Sequence, residues 1–121
     1  MADLDAVQTA MQKPEAELLR EWYDALTVQA FGASSGDLLS ATGDLRDPFF
    51  GWLDREGLCD LICRDWSYCT RRLQFENPTF LAAAIADLLL GAGGIAAPVN
   101  VAVLLVKFSC DHLCRCDERT A

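Results

Sequence analysis

The sequence is poor in basic residues, which limits the partners it can bind. Ten Lys and Arg residues stand against eighteen Asp and Glu residues, and the formal net charge is −8. A chain with this charge repels a phosphate backbone, so nucleic-acid binding is not expected. The imbalance lies in residues 1–60, which hold twelve acids and four bases, whereas residues 61–121 hold six of each. We interpret residues 1–60 as an acidic half that faces solvent or a partner.

Signatures of catalysis are also missing from the sequence. It contains one histidine and no G-x-S-x-G, no H-E-x-x-H and no glycine loop of the kind that binds phosphate. Carboxylate pairs such as Glu17 and Glu21 fit the solvated faces of amphipathic helices. We therefore expect a protein that is not an enzyme and uses no cofactor.

The N-terminal residues lack the features of a secretory signal. They have neither a basic start nor a continuous apolar segment. This pattern predicts a cytoplasmic location. In that compartment the six cysteines would stay reduced, and no disulfide scaffold would form.

Strand signals are absent as well, because no segment alternates apolar and polar residues with a period of two. Proline instead follows Lys13, Asp47 and Asn77 at three apparent helix starts, where its missing N–H costs little. We predict an all-α fold with one domain, 1–121, built as a compact bundle of about five helices around an apolar hairpin, 78–114. The predicted helices span 14–31, 48–55, 58–74, a segment from Pro78 to the glycines at 91–94, and 98–114, with a short helix around 37–40.

The apolar hairpin is nearly free of charge. The 27 residues from Phe80 to Val106 include only one charged side chain, Asp87. Each arm has the length of a core helix and is too short to span a membrane, and GAGG and Pro98 interrupt any single span. We expect a hairpin buried within the bundle, and a membrane-inserting helical hairpin is the alternative.

Asp87 suggests how the hairpin is used. An unpaired buried carboxylate costs several kcal/mol, so Asp87 must reach solvent, a hydrogen-bond donor or an arginine such as Arg71 or Arg72. An arm exposed on one side presents an apolar patch large enough for docking. We predict association through Ala83, Asp87 and Leu90, either with a protein partner or with a second copy in a homodimer.

The cysteines form two clusters, and each cluster contains a C-x-x-x-C spacing that puts two sulfurs on one face of a helix. The favoured interpretation is buried, reduced thiols, because a reduced cysteine packs as a small apolar residue. A metal-binding protein is the second alternative, and a disulfide or redox role is the third. The candidate metal ligands are Cys59, Cys63, Cys110, Cys114, Cys116 and His112.

Residues 77–116 carry one resemblance to known proteins. The segment combines an N-P helix start, an alanine-rich arm, the run PVNVAVLLVK and terminal cysteines. In these features it resembles small uncharacterised helical domains of bacterial conflict and defence systems. The resemblance implies an accessory or adaptor module that works beside a larger effector, and it assigns no role to any single residue.

Overall fold

The computed structural model describes residues 4–31, 45–108 and 110–116, and these residues form an all-α fold without strands. Two of the segments change helix type along their length: the helix Leu58–Asp60 continues as a π-helix over Leu61–Asp65, and the helix Tyr68–Arg71 continues as a 3-10 turn over Arg72–Gln74. The α-helices are α1 (Leu4–Met11), α2 (Glu15–Phe31), α3 (Arg46–Arg55), α4 (Leu58–Asp60), α5 (Tyr68–Arg71), α6 (Pro78–Ala92), α7 (Pro98–Lys107) and α8 (Cys110–Leu113).

Helix α6 begins and ends as its sequence predicts. Asn77 is the N-cap, and its side-chain oxygen accepts a hydrogen bond from the backbone N–H of Thr79 at 2.8 Å. The helix ends at Ala92, and Gly93 follows with a positive φ of 79°, which glycine adopts without steric cost. The helix predicted over 48–55 begins two residues earlier, at Arg46, so Asp47 lies within the first turn of α3. A carboxylate in this first turn is stabilised by the positive end of the helix dipole.

Two predicted long helices are divided in the structure. The helix predicted over 58–74 changes to π geometry, in which the N–H of Trp66 bonds the carbonyl of Leu61 at 2.9 Å, and Ser67 then turns into the left-handed region with φ of 59°. The helix predicted over 98–114 ends at Lys107, and α8 is a separate turn. Helix α1 was not predicted, whereas the helix predicted around 37–40 lies outside the described residues.

The hairpin of α6 and α7 forms the centre of the fold. These two helices share the most extensive helix–helix contact, α1 packs against both of them, and α2 packs against α7. Five consecutive α7 residues, Val101 to Leu105, are buried, so α7 has neighbours on every side as its sequence predicts. None of the helices within the described ranges has the length and apolar character needed to cross a membrane.

An aromatic cluster joins α2 to α3 beside this hairpin. The ring of Trp22 lies 5.1 Å from Phe49 and 5.3 Å from Trp52 in edge-to-face arrangements, centroid to centroid. All three side chains are buried, so the cluster is part of the core. Trp66 is only half-buried and lies under the guanidinium of Arg71, 5.5 Å from the ring centroid.

A polar contact connects α2 to α7. Glu21 accepts hydrogen bonds from Lys13 Nζ and from Asn100 Nδ2, both at 2.8 Å. These bonds, led by the one from Lys13, lower the pKa of Glu21, and the same contact raises the pKa of Lys13. The side-chain amide nitrogen of Asn100, a polar residue in an apolar helix, is thereby hydrogen-bonded within the fold.

Candidate functional site

The two cysteine clusters meet, and four of the six cysteines form disulfides. Cys63 is bonded to Cys114, and Cys69 is bonded to Cys116. The bonds join the segment of α4 and α5 to the C-terminal segment 110–116. Each segment contributes one cysteine to each disulfide, and between its two cysteines lies one residue with a left-handed backbone conformation. The residues at these positions, Ser67 with φ of 59° and Arg115 with φ of 56°, are not glycines, so the conformation depends on the surrounding structure to hold it.

The prediction of reduced, buried thiols is therefore wrong for these four cysteines. It rested on treating each cysteine as part of one helical stripe. The helices break between Cys63 and Cys69 and again before Cys114, so the side chains turn towards each other across the two segments. The prediction holds for Cys110, which is a free thiol buried to 1% exposure, while the second free thiol, Cys59, is half-buried.

Cys110 lies directly beside one of the disulfides. Its Sγ is 3.8 Å from the Sγ of Cys114, which is the sulfur bonded to Cys63. Burial, followed by the charges of Asp111 and Cys59, raises the pKa of Cys110 from 9.0 to about 12. Burial also raises the pKa of Cys59, and the negative charges of Asp54 and Asp60 raise it further. Both thiols are therefore protonated at neutral pH.

Charged and polar side chains reinforce the same junction. The Tyr68 hydroxyl donates a hydrogen bond to Asp111 Oδ1 at 2.6 Å, and Arg72 pairs with the other carboxylate oxygen of Asp111. Burial and this hydrogen bond raise the pKa of Tyr68 far above its ordinary value, so the phenol remains a donor. A shallow groove of about 430 Å³ runs past these side chains, between Leu73 and Val106. Two disulfides and an ion pair thus hold the C-terminal segment to the segment of α4 and α5.

The metal-site alternative is not supported by the residues that the structure describes. No group of three or more His, Cys, Asp or Glu residues among them is arranged to hold a metal ion. The His112 side chain lies outside the described residues. The structure does bring Cys59, Cys63, Cys110 and Cys114 towards one another, as facing C-x-x-x-C pairs would require, but it uses two of them in a disulfide.

A second surface lies on the outer side of α6. The predicted interaction residues Asp87 and Leu90 are exposed, and Ala83 is half-buried. Phe80 is 51% exposed on the same helix, while Ile85 and Leu89 face the core. Asp87 reaches solvent, which is one of the three environments predicted for it. Arg72 contacts Asp111, and Arg71 contacts Trp66.

This surface continues into a groove of about 800 Å³ between α6 and the chain that precedes it. Leu73 is 77% exposed at one edge, because the 3-10 turn rotates it away from the core. We name this surface the α6 groove. It is lined by Leu73, Gln74, Phe75, Glu76, Asn77, Phe80, Ala83, Ala84 and Asp87.

Sequence reasoning missed several residues of both sites. Cys69 was left out of the candidate ligands, although three cysteines in each cluster allow complete pairing between the clusters. Tyr68 and Asp111 gave no signal, and Arg72 was a candidate partner of Asp87 and not of Asp111, because the contact joins residues about forty positions apart. Comparisons with family models, with curated proteins and with solved structures yield no match. Function must therefore be inferred from the chemistry of these surfaces.

Proposed function

We propose that the protein is a non-enzymatic interaction module that binds a partner protein through the α6 groove. The observation that carries this proposal is the row of exposed apolar side chains along the groove and α6. Leu73, Phe80 and Leu90 are 77%, 51% and 46% exposed, respectively. Large apolar side chains clustered on one face are typical of a docking surface, whereas single exposed ones are common everywhere.

Charge favours a partner that is not a second copy of this chain. The groove carries acidic groups, Glu76 and Asp87, at its lining, and the chain as a whole has a net charge of −8. Two copies that met through this face would bring like charges together, which opposes association. An apolar segment flanked by Lys or Arg fits the groove better. The predicted homodimer is kept as the alternative that the experiment distinguishes.

The wider role follows from the resemblance of residues 77–116. We propose an accessory or adaptor component of a bacterial defence system, built as a single bundle of about five helices. The membrane-inserting hairpin remains the alternative function. The predicted cytoplasmic location stays a prediction, and the two disulfides favour an oxidising compartment instead, since such bonds are rarely kept where glutathione is reduced.

Two designed amphipathic peptides test the proposal. Both have the same apolar positions, and one carries Lys where the other carries Glu. We expect the Lys peptide to bind, to shift the amide resonances of α6 in the isotope-labelled protein, and to bind more weakly as salt is raised. The Glu peptide should bind at least about tenfold more weakly, which corresponds to about 1.4 kcal/mol.

Matched variants at Phe80, in the groove lining, and at Leu90, farther along the exposed face of α6, assign the binding to this side of α6. Phe80→Ser and Leu90→Ala should each weaken binding of the Lys peptide. Val28→Ala is the control, because Val28 is 46% exposed, as Leu90 is, but lies on α2. Equal loss of binding in the control, or no binding of the Lys peptide to the wild-type protein, would contradict the proposal. A concentration-dependent dimer abolished by Phe80→Ser would replace it with the homodimer.

A further inference from the structure

We infer that Cys110 is an internal nucleophile that exchanges the Cys63–Cys114 disulfide for a Cys110–Cys114 disulfide. The inference rests on three sulfur atoms at the cysteine cluster. Cys110 Sγ lies 3.8 Å from Cys114 Sγ, and Cys114 is bonded to Cys63. Thiol–disulfide exchange requires a thiolate to reach a disulfide sulfur, and here the two sulfurs are already close to van der Waals contact.

The backbone around Cys114 permits the new bond. A disulfide needs Cβ atoms roughly 3.5–4.5 Å apart, whereas residues four apart on a helix keep them at about 5–6 Å. Helix α8 ends at Leu113, and Cys114 lies in the turn that follows it, ahead of the left-handed Arg115. Closing the Cys110–Cys114 bond therefore requires only that this last turn shift. The hydrogen bond from the Cys114 N–H to the Cys110 carbonyl, 2.8 Å long, is the contact most directly affected.

The step conserves atoms and electrons without any external reagent. The Cys110 thiol loses its proton to solvent, and the resulting thiolate attacks Cys114 Sγ. A bond forms between Cys110 and Cys114, and the bond between Cys114 and Cys63 breaks. Cys63 leaves as a thiolate and takes up a proton from solvent. One disulfide and one thiol are present before the step and after it.

The surroundings of Cys110 keep this step slow in the folded protein. The thiol is buried, and Asp111 on its own helix and Cys59 from α4 disfavour its thiolate. Tyr68 and Arg72 from the α5 segment reach the same site through their contacts with Asp111. Loss of burial, or a higher pH, removes the barrier to deprotonation. Exchange would then release α4 from the C-terminal segment while Cys69–Cys116 keeps the two segments together.

The free thiols identify which disulfide is present. Before exchange they are Cys59 and Cys110, one on each segment. After exchange they are Cys59 and Cys63, both within 56–64, a single tryptic peptide bounded by Arg55 and Arg64. Cys110 and Cys114, which are bonded to each other after exchange, lie together in peptide 108–115. Peptide mapping therefore separates the two states without ambiguity.

The experiment incubates the oxidised protein at about pH 7 and about pH 10, a range over which the thiolate fraction of Cys110 rises roughly a thousandfold. Samples are acidified, alkylated with N-ethylmaleimide and digested with trypsin. At neutral pH we expect peptide 56–64 linked to peptide 108–115. At alkaline pH we expect 108–115 closed by an internal disulfide and 56–64 alkylated twice. Circular dichroism on each sample shows whether the helices are retained.

Two variants identify the nucleophile. Cys110→Ser should slow the loss of the link between 56–64 and 108–115 by at least tenfold, whereas Cys59→Ser should not slow it, because Cys59 disfavours the Cys110 thiolate. A link that persists in the wild-type protein at alkaline pH would overturn the inference. So would a Cys59–Cys63 disulfide in place of Cys110–Cys114, or equal rates in wild type and Cys110→Ser. The wild-type measurement stands by itself if a variant does not fold.

Discussion

Burial gives the two free thiols different reactivities towards added reagents. Cys110 is 1% exposed and has a pKa raised to about 12, whereas Cys59 is half-buried. Raising the pKa of Cys110 from 9.0 to about 12 lowers its thiolate fraction at neutral pH by roughly a thousandfold. The environment that shields Cys110 from solvent leaves it in contact with Cys114, so burial selects an internal target over external ones.

Iodoacetamide tests this difference between the thiols. In the oxidised, folded protein at about pH 8, near the ordinary thiol pKa, we expect Cys59 to be alkylated at least about a hundredfold faster than Cys110. Peptides 56–64 and 108–115 separate the two sites in a mass spectrum. In denaturant, both thiols should react at similar rates. Comparable rates in the folded protein would mean that Cys110 is not buried.

Glu21 makes the stability of the fold depend on acid. Hydrogen bonds from Lys13 and Asn100 lower its pKa, so its contribution is present above its ordinary value of 4.5 and is lost as pH falls through the lowered pKa. We expect Glu21→Gln to reduce stability at neutral pH and to flatten its decline below about pH 4.5. Urea denaturation across the acid range measures both effects. Glu17→Gln is the control, since Glu17 is exposed on the same helix.

The two disulfides act on the same pair of segments, so their effects on stability are coupled. Cys63–Cys114 and Cys69–Cys116 close loops of similar size, with sequence separations of 51 and 47. Once one bond is formed, the other closes only a short additional loop. Loop-closure entropy then predicts that removing either bond costs about 2.5 kcal/mol and that removing both costs about 6.5 kcal/mol.

A double-mutant cycle measures this coupling. One variant replaces Cys63 and Cys114 with alanine, a second replaces Cys69 and Cys116, and a third replaces both pairs. All are made in a background of Cys59→Ala and Cys110→Ala, which prevents new pairings. Denaturation without reductant should show that the combined loss exceeds the sum of the separate losses by about 1.5 kcal/mol. Strict additivity of the two losses would indicate that the two segments stay close in the unfolded chain even without the bonds.

Helix starts with local signals were predictable, and breaks caused by distant contacts were not. Asn77 and Pro78 mark the start of α6, because a cap and a fixed φ depend on neighbouring residues alone. The left-handed Ser67 and the pairing of Cys69 with Cys116 depend on a segment almost fifty residues away. The outer face of α6 was predicted from the lone charge of Asp87, but the exposure of Leu73 was not.

At the scale of the whole molecule, negative charge decides whether this apolar face leads to self-association. The net charge of −8 makes copies repel one another at low salt. We expect the oxidised protein to be a monomer by light scattering at two well-separated concentrations. We also expect Ala83→Arg to weaken binding of the Lys peptide without loss of helicity, because it places a cation in the α6 groove. Unchanged binding by Ala83→Arg would place the docking site elsewhere.

The covalent links also fix how far the chain can be extended. The bond between Cys63 and Cys114 encloses both helices of the hairpin in a ring, while α1 and α2 lie outside it. Force applied to the two ends of the chain can peel away α1 and α2, but it cannot straighten α6 and α7. Because the ring spans 51 residues, the contour length available to the oxidised chain is shorter than that of the reduced chain by roughly 180 Å.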